Sequence, residues 1–228
     1  MKFLLTSGGI SNPSISNALV DLLGKPIAES TALFIPTAVH PFPGGAERAW
    51  KAVHGRADIP LTQLGWKSLG LLELTALPTI RKENWVPAVR EADALLVWGG
   101  DVLYLTHWMR QSGLAGLLPS LTDTVYVGVS AGSIAVTPYN CDAAFDLGFV
   151  PDGSDMAKDA DRALGLVDFT LYPHLNHPDM EDTTLPDIQT WASGIPVRTY
   201  AIDDDTAITV VDGTVDVVSE GEWKLINP

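Results

Sequence analysis

The stretch VYVGVSAGSIAV, residues 125–136, sets Ser130 between Gly128 and Gly132, directly after a β-branched apolar run and directly before a second apolar run. Read as strand, sharp turn and helix, this G-x-S-x-G pattern projects the serine from the sheet edge, and the two glycines let neighbouring backbone approach closely. A hydroxyl held in that way can act as a nucleophile in acyl transfer. The helix that would begin near Ala131 adds N–H groups without intrahelical acceptors and a positive dipole end, both suited to stabilising an oxyanion. A small-residue turn needed only for packing would look the same locally, so the chemistry depends on finding a base and an acid.

The base comes from five histidines. His54 and His107 fall in helical patterns with polar neighbours and read as surface residues, and His40 lies in the HPFPGG loop after a strand with nothing nearby to give it a role. His174 and His177 share the segment FTLYPHLNHPDMED. There an apolar strand, residues 169–172, ends in Pro173-His174, and strand ends are where α/β sheets gather their chemistry. His174 is the better candidate, and His177, followed by Pro178, reads as a loop residue or cap. A metal site is the rival reading, because His174, His177, Asp179 and Glu181 crowd together. The His-x-x-His spacing does not stack both imidazoles on one helix face, however, and Pro178 interrupts any helix, so neither metal nor other cofactor is expected. For the acid, Asp203, Asp204 and Asp205 lie at a turn between two apolar strands, with Asp142 and Asp146 as alternatives soon after the serine. Position alone does not choose among them.

The elements that must position these residues are read from hydrophobic period. KFLLTSGG is a buried strand ending in a glycine turn. SNPSISNALVDLLG follows as a helix, capped by Ser11 or Asn12 and stopped by Gly24. Strands are expected at residues 31–38, 68–75, 93–100 and 124–130, and helices at residues 46–53 and 83–91 and over DVLYLTHWMRQSG. Continuous apolar strands separated by such helices imply a doubly wound, mostly parallel sheet with helices on both faces, an α/β fold. The C-terminal part reads as short strands with an Asp212-Gly213 hairpin turn, expected to extend the sheet in antiparallel fashion. No repeat, low-complexity tract or linker interrupts the chain, so residues 1–228 read as one domain. The TSGG turn lacks the spacing of a phosphate loop and reads as a structural turn near the pocket.

Composition excludes several classes. A net charge of −14, from 28 acidic and 14 basic residues, repels nucleic acid and anionic membrane surfaces. It also opposes an acidic substrate unless Lys or Arg clusters locally. The single cysteine, Cys141, cannot form an internal disulfide or a thiolate cluster, which fits a reducing compartment. The first residues, MKFLLTSGGI, lack the apolar length of a signal peptide, and no stretch is long enough to span a membrane. Cytoplasm is the expected location.

Taken together, GVSAGS, YPHLNH, AIDDDTAI and the WGGD before a helix resemble the peptidase E group of serine peptidases, which includes aspartyl dipeptidases and cyanophycinases. The resemblance runs over nearly the whole chain. It implies a fold similar to class I glutamine amidotransferases and a triad in the order serine, histidine, acid, unlike the serine, acid, histidine of α/β-hydrolases. Matched residue by residue, it implies Ser130 as nucleophile, His174 as general base, Asp204 as acid with Asp203 as the alternative, and an oxyanion hole at the N–H groups of Gly100 and Ala131. Relatives often carry Glu where this chain has Asp204. Many read Gly-Gly-Asn where it has Gly99-Gly100-Asp101, which makes Asp101 a candidate for holding substrate or loop. In aspartyl dipeptidases of the group an arginine beyond the histidine holds the substrate carboxylate, but here no Lys or Arg occurs between His174 and Arg198. Lys158 and Arg162 are the nearest cations before the histidine, and they read more simply as a solvated helix face. A buried carboxylate without a cation is costly, so strict Asp-X specificity is not expected. The implied activity is hydrolysis of short peptides through an acyl-enzyme, by a monomer or homodimer. The alternatives are an esterase or amidase on the same triad, or a non-catalytic ligand-binding relative.

Overall fold

The computed structural model of the chain describes residues 1–57, 59–141, 147–158 and 160–227; Asp142 and Asp146 lie outside the described residues. In chain order the elements of the first half are β1 (Lys2–Thr6), α1 (Pro13–Leu23), β2 (Thr31–Ile35), α2 (Gly45–Val53), β3 (Ser68–Leu71), α3 (Val86–Glu91), β4 (Ala94–Val97), α4 (Val102–Ser112) and α5 (Leu114–Leu117). They are followed by β5 (Val125–Val129), α6 (Ala131–Ile134), β6 (Thr170–Tyr172), α7 (Leu185–Ala192), β7 (Thr199–Ile202), β8 (Thr206–Val211), β9 (Thr214–Ser219) and β10 (Trp223–Ile226).

A seven-stranded sheet runs β3-β2-β4-β5-β1-β8-β9. Its first five strands are parallel, and β8 and β9 add to β1 in antiparallel fashion. The alternation of side chains across a strand builds two cores. Phe3, Leu5, Leu95, Val97 and Tyr126 face one side and pack with Val89 of α3, Leu105 and Met109 of α4 and Leu114 of α5. Leu4, Phe34, Leu96 and Val127 face the other side and pack with Ile15 and Leu19 of α1 and Ala52 of α2. Each such leucine contributes roughly 1.5–3 kcal/mol by leaving water. Helix α1 starts and stops as its sequence implies. Asn12 Oδ1 accepts from Ile15 N–H at 3.0 Å, and Gly24 turns the chain at φ 69° with its N–H on Val20 O at 2.9 Å.

The C-terminal strands divide between two sheets, where the sequence reading expected one. Only β8 and β9 extend the main sheet. β6, β7 and β10 form a separate three-stranded sheet in the order β10-β7-β6, with β6 and β7 parallel and β7 and β10 antiparallel. The physical reason is burial. Phe169, Leu171, Tyr200 and Ile202 seat the small sheet on the same core as Leu5 and Leu105. The break falls at the aspartate turn, which separates β7 in the small sheet from β8 in the large one. Among the described residues no helix is long and apolar enough to cross a membrane.

This topology brings particular ends together. Thr6 pairs with Val129 and with Ala207, and Val97 pairs with Gly128. The chain beyond β1, β4 and β5 and the chain leading into β8 therefore meet at one sheet edge. Pairing of Tyr172 with Ala201 delivers residues 173–174 beside the aspartate turn. At the turn into α6 the backbones touch: a Cβ on Gly132 would overlap the Val97 carbonyl oxygen and lie 2.9 Å from its carbon, and one on Gly128 would lie 2.7 Å from Ser133 N. Gly132→Ala is therefore expected to cost roughly 1–3 kcal/mol, read as a lowered Tm. Gly116→Ala in α5, where a Cβ meets nothing within 4 Å, is expected to leave Tm unchanged or raise it.

Candidate active site

Ser130 sits at the turn with φ 49° and ψ −113°, a backbone conformation that costs a non-glycine residue about 1–3 kcal/mol. Neighbouring groups hold it there. Its N–H donates to Thr6 O at 3.0 Å, and its carbonyl accepts from Ser133 N at 2.8 Å and Ile134 N at 3.0 Å. Ser133 Oγ donates to the same Thr6 O at 2.7 Å, and the buried Tyr126 hydroxyl donates to Gly132 O at 2.7 Å. Burial pushes the Tyr126 phenol far up, so it stays protonated and keeps that bond.

Helix α6 has only four residues. What it offers an anion is therefore chiefly an N–H group at its start, since so short a helix carries little dipole. Among the described residues neither the Ala131 nor the Gly100 N–H has a hydrogen-bond acceptor, and both residues line the pocket beside Ser130. Gly100 lies at φ 141°, and a Cβ there would overlap Ala38 O, so the loop after β4 approaches as it does only with glycine.

His174 follows β6 in the left-handed region, at φ 62°. Its Nε2 lies 2.9 Å from Ser130 Oγ and its Nδ1 2.8 Å from Asp204 Oδ1. The turn separates the three aspartates. Asp203 folds back: its Oδ1 accepts from Asp205 N at 3.1 Å and Thr206 Oγ1 at 2.6 Å, and its Oδ2 from Glu222 N. Asp205 is exposed. Only Asp204 faces the imidazole. Burial pushes the Asp204 carboxyl up, but hydrogen bonds from His174 and Ser7 and the charges of His174 and His177 outweigh it and hold it below the usual carboxylate range. His177 Nε2 lies 3.7 Å from Asp204 Oδ2, too far for a hydrogen bond.

Ser7, which follows β1, also belongs to this cluster. It is fully buried, donates to Asp204 Oδ1, accepts from His174 N–H at 2.9 Å and lies 3.1 Å from His174 Nδ1. Sequence reasoning took the TSGG segment as a structural turn and missed it. No local signal marks this serine, because its partners stand 167 and 197 positions away.

The pocket encloses about 420 Å³. Val102, Ile134, Cys141, Tyr172 and Met180 give it apolar walls, and Glu181, Asp182 and Thr183 form its rim. None of the 14 lysines and arginines, all among the described residues, lines it. A larger groove of about 1000 Å³ runs past Trp85 and Leu117, and neither Ser130, His174, Asp204 nor Ser7 lines it.

The remaining sequence candidates lie elsewhere or do other things. Asp101 caps α4, its Oδ1 accepting from Tyr104 N at 2.7 Å, and the Asp before an apolar helical run was a cap signal in plain view. Lys158 pairs with Asp155 at 2.6 Å, and Arg162 lies over the Tyr139 ring at 4.3 Å. Both line a separate groove with His107. His40 pairs with Glu73 at 2.9 Å, and His54 contacts Trp50 O at 2.8 Å. Asp179 N donates to His177 Nδ1 at 3.2 Å, so the His177 ring is engaged within its own loop, and Glu181 stands at the pocket rim.

Comparison with known proteins places this arrangement. No curated protein matches the chain significantly. Among solved structures, a candidate peptidase E protein from Listeria monocytogenes EGD-e superposes with a TM-score of 0.66 at 19% identity, covering 96% of this chain and 98% of the other. A peptidase from an acI-B1 Actinobacterium superposes with a TM-score of 0.65 at 20% identity, covering 99% and 90%. These likenesses establish a shared fold. The profile of peptidase family S51 matches residues 3–218. The chain belongs to peptidase family S51 and is a peptidase, a hydrolase.

Proposed function

We propose that the protein is a serine peptidase of the peptidase E type that cleaves short peptides through an acyl-enzyme. The observation that carries this reading is the unbroken relay from Ser130 Oγ to His174 Nε2 at 2.9 Å and from His174 Nδ1 to Asp204 Oδ1 at 2.8 Å. An ionised Asp204 accepts from Nδ1–H, which leaves Nε2 unprotonated and able to take the Ser130 proton. As Oγ attacks the peptide carbonyl, His174 becomes imidazolium beside the carboxylate, and the oxyanion is held by Gly100 and Ala131 N–H. His174 then gives its proton to the leaving amine. In the second half it takes a proton from water, which attacks the ester and regenerates Ser130.

The pocket supports a choice of substrate. Its volume of about 420 Å³ suits a side chain with a short stretch of backbone. Apolar walls with no Lys or Arg leave an acidic side chain without a partner, whereas Glu181 and Asp182 at the rim complement a free amine. The preferred substrate is a short peptide with an uncharged residue on the acyl side.

Ser130→Ala should lower kcat by at least about 10³-fold on dipeptides and p-nitroanilides, and a fluorophosphonate should label Ser130 in the native protein and not in His174→Ala; undiminished turnover by Ser130→Ala would rule the mechanism out. Asp204→Asn, whose amide would favour the wrong imidazole tautomer, should lower kcat on the order of 10⁴-fold. Because the folded Asp204 carboxyl titrates below its unfolded value, its stabilisation is present above about pH 3.9 and fades as pH falls through the folded value. The Tm gap between native protein and Asp204→Asn should narrow over that acid range. Across a dipeptide panel, kcat/KM for Leu-X and Met-X should exceed that for Asp-X by at least about 10-fold, and a preference for Asp-X would refute the pocket argument.

A further inference from the structure

We propose that Ser7 is a positioning residue for the reaction, holding the aim of His174 and supporting, through one buried hydroxyl, the tautomer that Asp204 selects; this rests on the reading of Ser130, His174 and Asp204 as the catalytic groups. A serine hydroxyl has one hydrogen to donate and two lone pairs to accept with. The Ser7 hydrogen points at Asp204 Oδ1, which as a carboxylate oxygen can only accept. Both contacts with His174 must then be accepted by Ser7 Oγ: the backbone N–H at 2.9 Å, and the ring Nδ1, 3.1 Å away, through its own hydrogen. Nδ1 therefore carries the ring proton, shared between Asp204 Oδ1 and Ser7 Oγ, and Nε2 is left bare toward Ser130.

The same atom fixes position as well as supporting that protonation. Because Ser7 Oγ holds both the backbone N–H and the ring of His174, the ring cannot rotate about its side-chain bonds without losing one contact. The left-handed backbone at φ 62° is pinned through the N–H. Ser7 is fully buried, so no water can replace the hydroxyl without repacking. Its neighbour makes room for the third partner: a Cβ on Gly8 would lie 2.8 Å from Asp204 Cβ, so only glycine lets the aspartate come this close to the end of β1. The hydroxyl touches neither pocket nor scissile carbonyl, so its effect is expected on turnover and not on binding.

The test is Ser7→Ala, with kcat counted per fluorophosphonate-titratable site so that unfolded chain does not enter. The expected result is a kcat lower by about 10- to 100-fold with KM within about threefold of the native value, and a His174 Nδ1–H proton resonance displaced from its native position, because one of its two acceptors is gone. In native protein the nitrogen NMR shifts of the ring are expected to show the Nδ1-protonated form alone. That measurement stands even where Ser7→Ala does not fold, and an Nε2-protonated ring in the native protein would overturn the proposal. A kcat within about twofold of native in Ser7→Ala, with Ser130→Ala inactive in the same assay, overturns the role of Ser7 and leaves the triad intact. Full turnover by Ser130→Ala removes the triad reading and the role of Ser7 with it.

Discussion

Two consecutive residues at the end of β1 hold the two unusual backbones on which the site depends. Thr6 O takes the N–H of Ser130, at φ 49°, and Ser7 Oγ takes the N–H of His174, at φ 62°. Neither conformation is favourable for a residue with a side chain, and each persists because surrounding hydrogen bonds over-determine it. Ser130 follows a strand of the large sheet and His174 a strand of the small one. A hydrogen bond between them needs both to be aimed independently, and β1, centrally placed in the large sheet and fully buried at Leu4, Leu5 and Thr6, is the rigid reference for both.

Electrostatics at the site run against the protein's overall field. With a net charge of −14, the long-range potential disfavours an oxyanion and favours an imidazolium. Under the proposed reaction, the second effect would assist His174 as the base. Under that reaction the first must be overcome locally, by short-range N–H dipoles, which outweigh screened distant charges. The short α6 makes this dependence sharper. With four residues it contributes little dipole, so the N–H groups of Ala131 and Gly100, without an acceptor among the described residues, matter individually.

Much of this was legible in the sequence, for identifiable reasons. The parallel strands and their helices appear as apolar runs of the right period, because β1, β4 and β5 are buried on both faces and β2 largely so. The turn at Ser130 is marked by glycines whose Cβ positions are occupied by backbone, and His174 by its place just beyond an apolar strand. The choice of Asp204 among three neighbouring aspartates came from family resemblance, and its physical basis is visible only in the fold: Asp203 is spent on Thr206 and Glu222. The small sheet was not legible, since strand pairing is decided by non-local burial and β7 has no signal separating it from β8. Ser7 was invisible for the same reason. At Asp101 the resemblance to Gly-Gly-Asn drew attention to substrate or loop, while the local pattern pointed to the helix cap that the fold shows.

The aspartate turn explains why two sheets can share one catalytic relay. β7 ends in the small sheet and β8 begins in the large one, so Asp204 stands at the junction, and any sliding of one sheet against the other would move it relative to either His174 or Ser7. Several bonds oppose such sliding. Ser11 Oγ donates to Asp204 O at 2.8 Å and Asn12 Nδ2 to Asp205 O at 2.9 Å, tying the turn to the chain beyond β1. Asp203 ties it to residue 222, just before β10 in the small sheet. Below the turn, Leu5, Ile208, Phe169 and Ile202 occupy one continuous core, so the sheets cannot separate without opening apolar surface to water. The carboxylate is thus anchored on both sides of the gap that the serine–histidine hydrogen bond must cross, and the geometry of the relay is a property of the folded core before any substrate arrives.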